Sequence, residues 1–108
     1  MPRPKHDEEA IRLAKAVGTV LRVARKQKGM KAESLAFDIG IAPQTLSNWE
    51  NGKFLPYTPH LMTACNILGL RMSKVYAAAE KMLWMQDVMK ASAMQAKERA
   101  KSERGNEG

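Results

Sequence analysis

Cysteine is nearly missing from this chain: Cys65 stands alone among 108 residues. A single thiol excludes an internal disulfide and suits a reducing compartment. Histidine is almost as scarce. His6 lies close to the N-terminus, His60 sits at the start of a helical pattern, and neither has a cysteine at metal-ligand spacing. A glycine-rich phosphate loop is also missing, so the inventory supports neither a metal site nor a nucleotide-driven enzyme. The chain reads as a non-enzyme without a cofactor. Glycine and proline number seven and five, too few for a loop-rich or disordered protein. No apolar stretch approaches the roughly 18 residues of a membrane span, and "MPRPKHDEEA" lacks a signal-peptide core. The expected location is the cytoplasm, with no membrane partner.

What is present is positive charge. The formal charge is +7 and the sequence pI about 9.8. Nine of the eighteen basic side chains fall between positions 3 and 31, against three acids. Such a block favours a polyanion, although a merely solvated helix face would look the same. A hydrophobic share of 44% is enough for one small core. Five of the eight methionines (Met72, Met82, Met85, Met89 and Met94) crowd into one segment.

The pattern along the chain is helical throughout. Asp7, Glu8 and Glu9 place negative charge where a helix N-terminus favours it, and residues 1–8 are expected to lack structure. Ala14, Val17, Leu21 and Ala24 then recur at steps of three and four, and Gly29 closes this first helix. Leu35, Ala36 and Ile39 mark a short second helix, stopped by Gly40. Pro43 suits the first turn of a third, which places Leu46 and Trp49 on one face and ends at Asn51-Gly52. Thr58 is expected to cap a fourth helix carrying Leu61, Ala64, Cys65 and Leu68 inward. Ser73 opens a long fifth segment without glycine or proline to about Ser102. The charged tail 102–108 is expected to be disordered. The fold class is all-α, with a compact unit over 9–76 and a long C-terminal helix over 72–101.

Two short helices joined at Gly40 have the spacing of a helix-turn-helix, whose second helix enters the DNA major groove. With Leu21, Arg25, Gly29, Leu35-Ala36, Gly40, Thr45-Leu46-Ser47, Trp49-Glu50-Asn51-Gly52, Pro56, Leu61, Ala64 and Leu68-Gly69 in register, residues 17–76 resemble the phage repressor and Cro type of helix-turn-helix domain. The resemblance implies a five-helix lambda-repressor-like fold that binds double-stranded DNA.

Pro43, Gln44, Ser47 and Asn48 share the face of the third helix opposite Leu46 and Trp49. Short amides and hydroxyls suit base edges, since Gln and Asn can make two bonds to adenine. The resemblance implies that these four positions read bases. Lys31 and Ala32 open the second helix, where backbone N–H groups and the helix dipole favour phosphate. By resemblance Asn51 and Lys53 also hold phosphate. Here the sequence departs from the family. Ala32 and Ala42 stand where a Gln and a capping Ser or Thr are common, so backbone N–H groups must serve there. Pro43 has no donor and offers only apolar contact, as to a thymine methyl. Arg22, Lys26 and Lys28 would add long-range attraction or simple solubility. Arg25 and Glu50 match the family's interior ion pair, though both could instead be exposed.

Beyond Tyr76 the chain continues past the usual end of such a domain. Met72, Tyr76, Ala79 and Leu83 form one stripe, expected to pack on the chain's own core. Val75, Ala78, Met82, Met85 and Met89 form a second, widened by Trp84 and Val88. A helix apolar on nearly every side around 82–85 is a buried helix. Met82, Leu83, Trp84, Met85, Val88 and Met89 are therefore expected at a homodimer interface. The leading expectation is a repressor that binds an inverted-repeat operator as a homodimer. One alternative is an antitoxin whose extra helix holds a toxin. Another is an interaction module that keeps the fold without binding DNA.

Overall fold

A computed structural model describes the backbone of residues 5–106 and the side chains of residues 7–101. The described residues form five α-helices: α1 Lys5–Gln27, α2 Ala32–Ile39, α3 Pro43–Glu50, α4 Thr58–Leu68 and α5 Met72–Asn106. α1 buries Ala14, Ala16, Val17 and Leu21 while Lys15, Thr19, Arg22 and Lys26 face solvent. That division follows from apolar residues at helical spacing. α2 and α3 are eight residues each. Between them Gly40 adopts a left-handed conformation (φ 88°) and returns its N–H to the carbonyls of Ala36 and Phe37. Glycine takes this geometry without the clash a Cβ would bring, so the chain reverses at once.

Leu21, Leu35, Leu46, Trp49, Leu61, Val17, Cys65 and Val75 are each less than 2% exposed and form the centre of one core. α1 packs on α3 and most extensively on α5, while α2 packs on α3 and α4. The α2–α3 pair is thus held between α1 on one side and α4 on the other.

Several boundaries differ from expectation. Thr58 is the first helical residue of α4 rather than its cap, and Tyr57 occupies the cap position without a side-chain bond. Pro59 fits anywhere in the first turn, because its missing N–H would have no helical partner there. The helix can therefore start a residue early. The ends are also more helical than expected. α1 already begins at Lys5 and α5 reaches Asn106, since Ala, Lys, Arg and Glu are strong helix formers. Of the two stretches expected to lack structure, residues 1–4 and 107–108 lie outside the described residues.

On α5 the division of faces also shifts. Val75 (1% exposed) and Ala79 (0%) are in the core, and Met72 and Leu83 pack against it. Val75, assigned from sequence to the second stripe, is thus in the core, and Leu83, assigned both to the core-facing stripe and to the dimer face, packs on the chain's own core; Tyr76 of the core-facing stripe is instead exposed. The reason is packing: α1 runs along α5 with Glu9, Arg12 and Leu13 beside Leu83, and Val75 closes into the shared core. Arg12 pairs with Asp87 at 2.8 Å, a full turn past Leu83. From Trp84 to Lys101 every α5 residue is exposed.

Candidate nucleic-acid interface

α3 is a helix with one buried and one open side. Leu46 and Trp49, each 1% exposed, anchor it. The Trp49 ring lies 6.2 Å from that of His60, which meets Tyr57 edge-on at 5.3 Å. Pro43 and Gln44 are exposed on the other side, with Ser47 and Asn48 half-exposed beside them. The geometry thus brings the four expected base-reading residues together on one accessible surface. Asn51 and Lys53 are exposed just past the helix end.

These polar groups are not independent. Gln44 Nε2 donates to Asn48 Oδ1 at 3.0 Å, and Asn51 Nδ2 donates to Ser47 Oγ at 3.2 Å. Both are bonds between residues four apart, which share one helix face.

The helix starts are bare of side-chain caps. Lys31 before α2 and Ala42 before α3 are both extended (ψ 146°), and neither makes a capping bond. The first N–H groups of a helix lack intrahelical partners, so both starts suit an anionic oxygen. Lys31 is exposed and Ala32 half-buried behind it. Arg22 and Lys26 are exposed on α1. Lys28 instead serves the fold: its ammonium donates to the Ile67 carbonyl in the last turn of α4, where the helix dipole favours a cation.

Behind the open face of α3, Arg25 and Glu50 form a two-pronged ion pair, with Nε to Oε2 at 2.8 Å and Nη2 to Oε1 at 3.0 Å. Their side chains are only 11% and 8% exposed. The third arm, Nη1, donates to the Met30 carbonyl at 2.8 Å. One guanidinium thus ties α1 to the end of α3 and to the turn before α2. The bonds to Glu50 raise the Arg25 pKa, with burial acting in the opposite direction.

Sequence reasoning missed Gly18. A Cβ there would lie 2.1 Å from the Trp49 carbonyl oxygen, so α1 reaches the end of α3 only because the side chain is absent. Gly52 completes the crossing: its φ is +71°, and a Cβ would fall 2.5 Å from the Lys15 Cα. The available signal was a glycine inside an otherwise regular helical pattern, a mark of close backbone approach.

Among the described residues no group of three or more His, Cys, Asp or Glu could hold a metal ion, and no helix is long and apolar enough to cross a membrane. The family model Helix-turn-helix (HTH_3) matches residues 21–75. One solved structure of the clp gene regulator ClgR from Corynebacterium glutamicum superposes with a TM-score of 0.72 at 28% identity, covering 76% of this chain and 87% of that one. A second ClgR structure gives a TM-score of 0.61 at 30% identity, covering 65% and 91%. No curated protein matches. With α2 and α3 set at Gly40, a polar face open on α3 and this match across both helices, the chain belongs to the helix-turn-helix family and is a DNA-binding transcriptional regulator.

Proposed function

We propose that the protein is a repressor that binds an inverted-repeat operator as a homodimer, with α3 in the major groove. The observation that carries this reading is the open face of α3. Pro43, Gln44, Ser47 and Asn48 offer groups suited to base edges, where a helix needing only solubility would carry Lys and Glu. Lys31, Ala32, Ala42, Asn51 and Lys53 surround that face and hold phosphate, the alanines through backbone N–H groups.

The dimer rests on α5. Trp84 (62% exposed), Met85 (45%), Val88 (44%) and Met89 (68%) stand on one side of the helix, open to solvent. Methionine and tryptophan are enriched at protein interfaces, and so large an apolar face is rarely left to water. Met82 is half-buried at its inner edge. A two-fold pair would set two α3 helices about 34 Å apart, one turn of DNA, which makes the operator an inverted repeat.

Sedimentation and DNA-binding titration of the wild-type chain beside a Trp84→Glu/Met89→Glu variant test this. The wild type is expected to sediment as a dimer at micromolar concentration and to bind two half-sites cooperatively. The variant is expected to stay folded, become monomeric and lose most of its affinity for the paired site. Lys53→Ala should weaken binding to all duplexes alike and lower the salt slope by about one. A monomeric wild type that binds a single half-site as tightly as a pair would rule out the dimeric reading. A wild type that dimerises only when a second protein is removed would favour the antitoxin alternative.

A further inference from the structure

α5 is a long helix that its own chain covers on one side only. It is 35 residues long, and it gives Val75, Ala79 and Leu83 to the core. Another strip stays open along its length. Lys74, Lys81, Met85, Val88, Ser92 and Arg99 are all exposed. With Ala78 and Gln95 between them they follow alternating steps of four and three, the repeat of a helix that pairs with another helix. The bulky members, Met85 and Val88, stand in the middle, and the outer members are small or polar.

The strip is symmetric about its own centre. Counted outward from the point between Gln86 and Asp87, Met85 matches Val88, Lys81 matches Ser92 and Ala78 matches Gln95. Trp84 and Met89, at the flanks, match in the same way. Such a helix can pair with a reversed copy of itself, and its charges favour that orientation over the direct one. Among the described side chains the strip carries only basic groups, because Glu80 and Asp87 border the groove beside α1, where Asp87 meets Arg12. Two copies side by side in the same direction would set Lys74, Lys81 and Arg99 each against its own duplicate, a costly arrangement of like charges. In the reversed pair Lys81 lies over Ser92. Only Lys74 and Arg99 approach each other, about 19 Å from the centre, where helices crossing at about 20° have begun to separate.

We infer that the second copy's α5 runs antiparallel along this strip, about a two-fold axis between Gln86 and Asp87. Residues 90–101 of each chain then lie against positions 72–83 of the other, where Ala77 and Ala78 leave room for a second helix. This rests on the homodimer reading, and it gives the bare end of α5 a partner. The pairing also sets a distance. Each compact unit is fastened to α5 at Val75 and Ala79, and the two-fold axis places these fastenings about 30 Å apart along the paired helices. That is close to the roughly 34 Å of one DNA turn. α5 is then the spacer that fixes which half-site separation the protein accepts.

Disulfide trapping of the full-length chain tests the direction. Cys65, 1% exposed, is shielded in the core, so wild type is the control and is expected to form no cross-link with oxidised glutathione. Lys81→Cys and Ser92→Cys place a thiol on the open strip. In the antiparallel pair each thiol is about 16 Å along the helix from its own duplicate, beyond the roughly 7 Å that a disulfide can bridge, yet opposite the other. Each variant alone is therefore expected to stay uncross-linked, and an equimolar mixture to give the mixed disulfide dimer. Sedimentation supplies a second readout: Ser92→Lys should weaken dimerisation about 3-fold by facing Lys81, and adding Lys81→Glu should restore it. The inference is overturned if either cysteine variant cross-links efficiently to itself, the outcome of a parallel pair. It is equally overturned if the chain sediments as a dimer while the mixture gives no mixed disulfide, or if Lys81→Glu fails to restore Ser92→Lys. A wild type that sediments as a monomer overturns the homodimer reading itself, and the inference with it.

Discussion

Arg25 shows how a single side chain can hold the α3 face in place without being part of it. Its three bonded nitrogens reach Glu50 twice and the Met30 carbonyl once, so α1, α3 and the turn before α2 share one node. Removing Glu50 leaves a guanidinium almost out of water with only a carbonyl to satisfy it. Glu50→Ala is expected to cost about 3 kcal/mol in urea melts. Replacing both partners, as Arg25→Met/Glu50→Leu, should recover much of that loss because no buried charge remains. If the single variant melts like wild type, the pair contributes nothing to the fold. Both residues were legible from the family resemblance. The resemblance also implied that they are interior, while the residues alone left exposure open, because exposure depends on how closely three elements approach.

At the scale of elements, the decisive feature is the crossing of α1 over the end of α3. Gly18 lets the two backbones meet at the Trp49 and Glu50 carbonyls. Adding one methyl group at Gly18 forces the helices apart, since backbone on both sides has nowhere to retreat. Gly18→Ala is expected to destabilise the chain by about 1–3 kcal/mol and to weaken operator binding more than binding to random duplex. Urea melts and paired titrations measure the two effects; equal loss on both DNAs would mean that α3 has not moved. The α2–α3 pair itself was readable from residue spacing, with Gly40 at the turn and Pro43 opening α3. The crossing was not, because it brings together residues more than thirty positions apart. The division of α5 was only half readable for the same reason: Val75 and Leu83 take their sides only once the other helices pack on α5.

For the whole molecule, the core joins all five helices, and Cys65 (1% exposed) sits inside it. Burial raises the thiol pKa from its ordinary value of 9.0. A raised pKa means that the unfolded chain loses this proton first. Cys65 therefore imposes no pH dependence below the unfolded thiol's value, and stability falls as pH rises through and above about 9. The same burial makes the thiol a reporter of global opening. At pH 8 a thiol reagent is expected to label Cys65 slowly in buffer and rapidly in denaturing urea, with rates that track the melt. Fast labelling of the native chain would show that the core opens locally around α4.

The amino-acid sequence by itself determined the helices, their order and the polar face of α3, because apolar spacing, glycine stops and proline starts act over a few neighbouring residues. It also determined the basic charge and the excess of apolar residues on α5, which are sums over composition. Only the tertiary structure decided which side of α5 is already covered and how close α1 comes to α3. Those outcomes depend on distances between elements far apart in the chain, which no short stretch of it encodes.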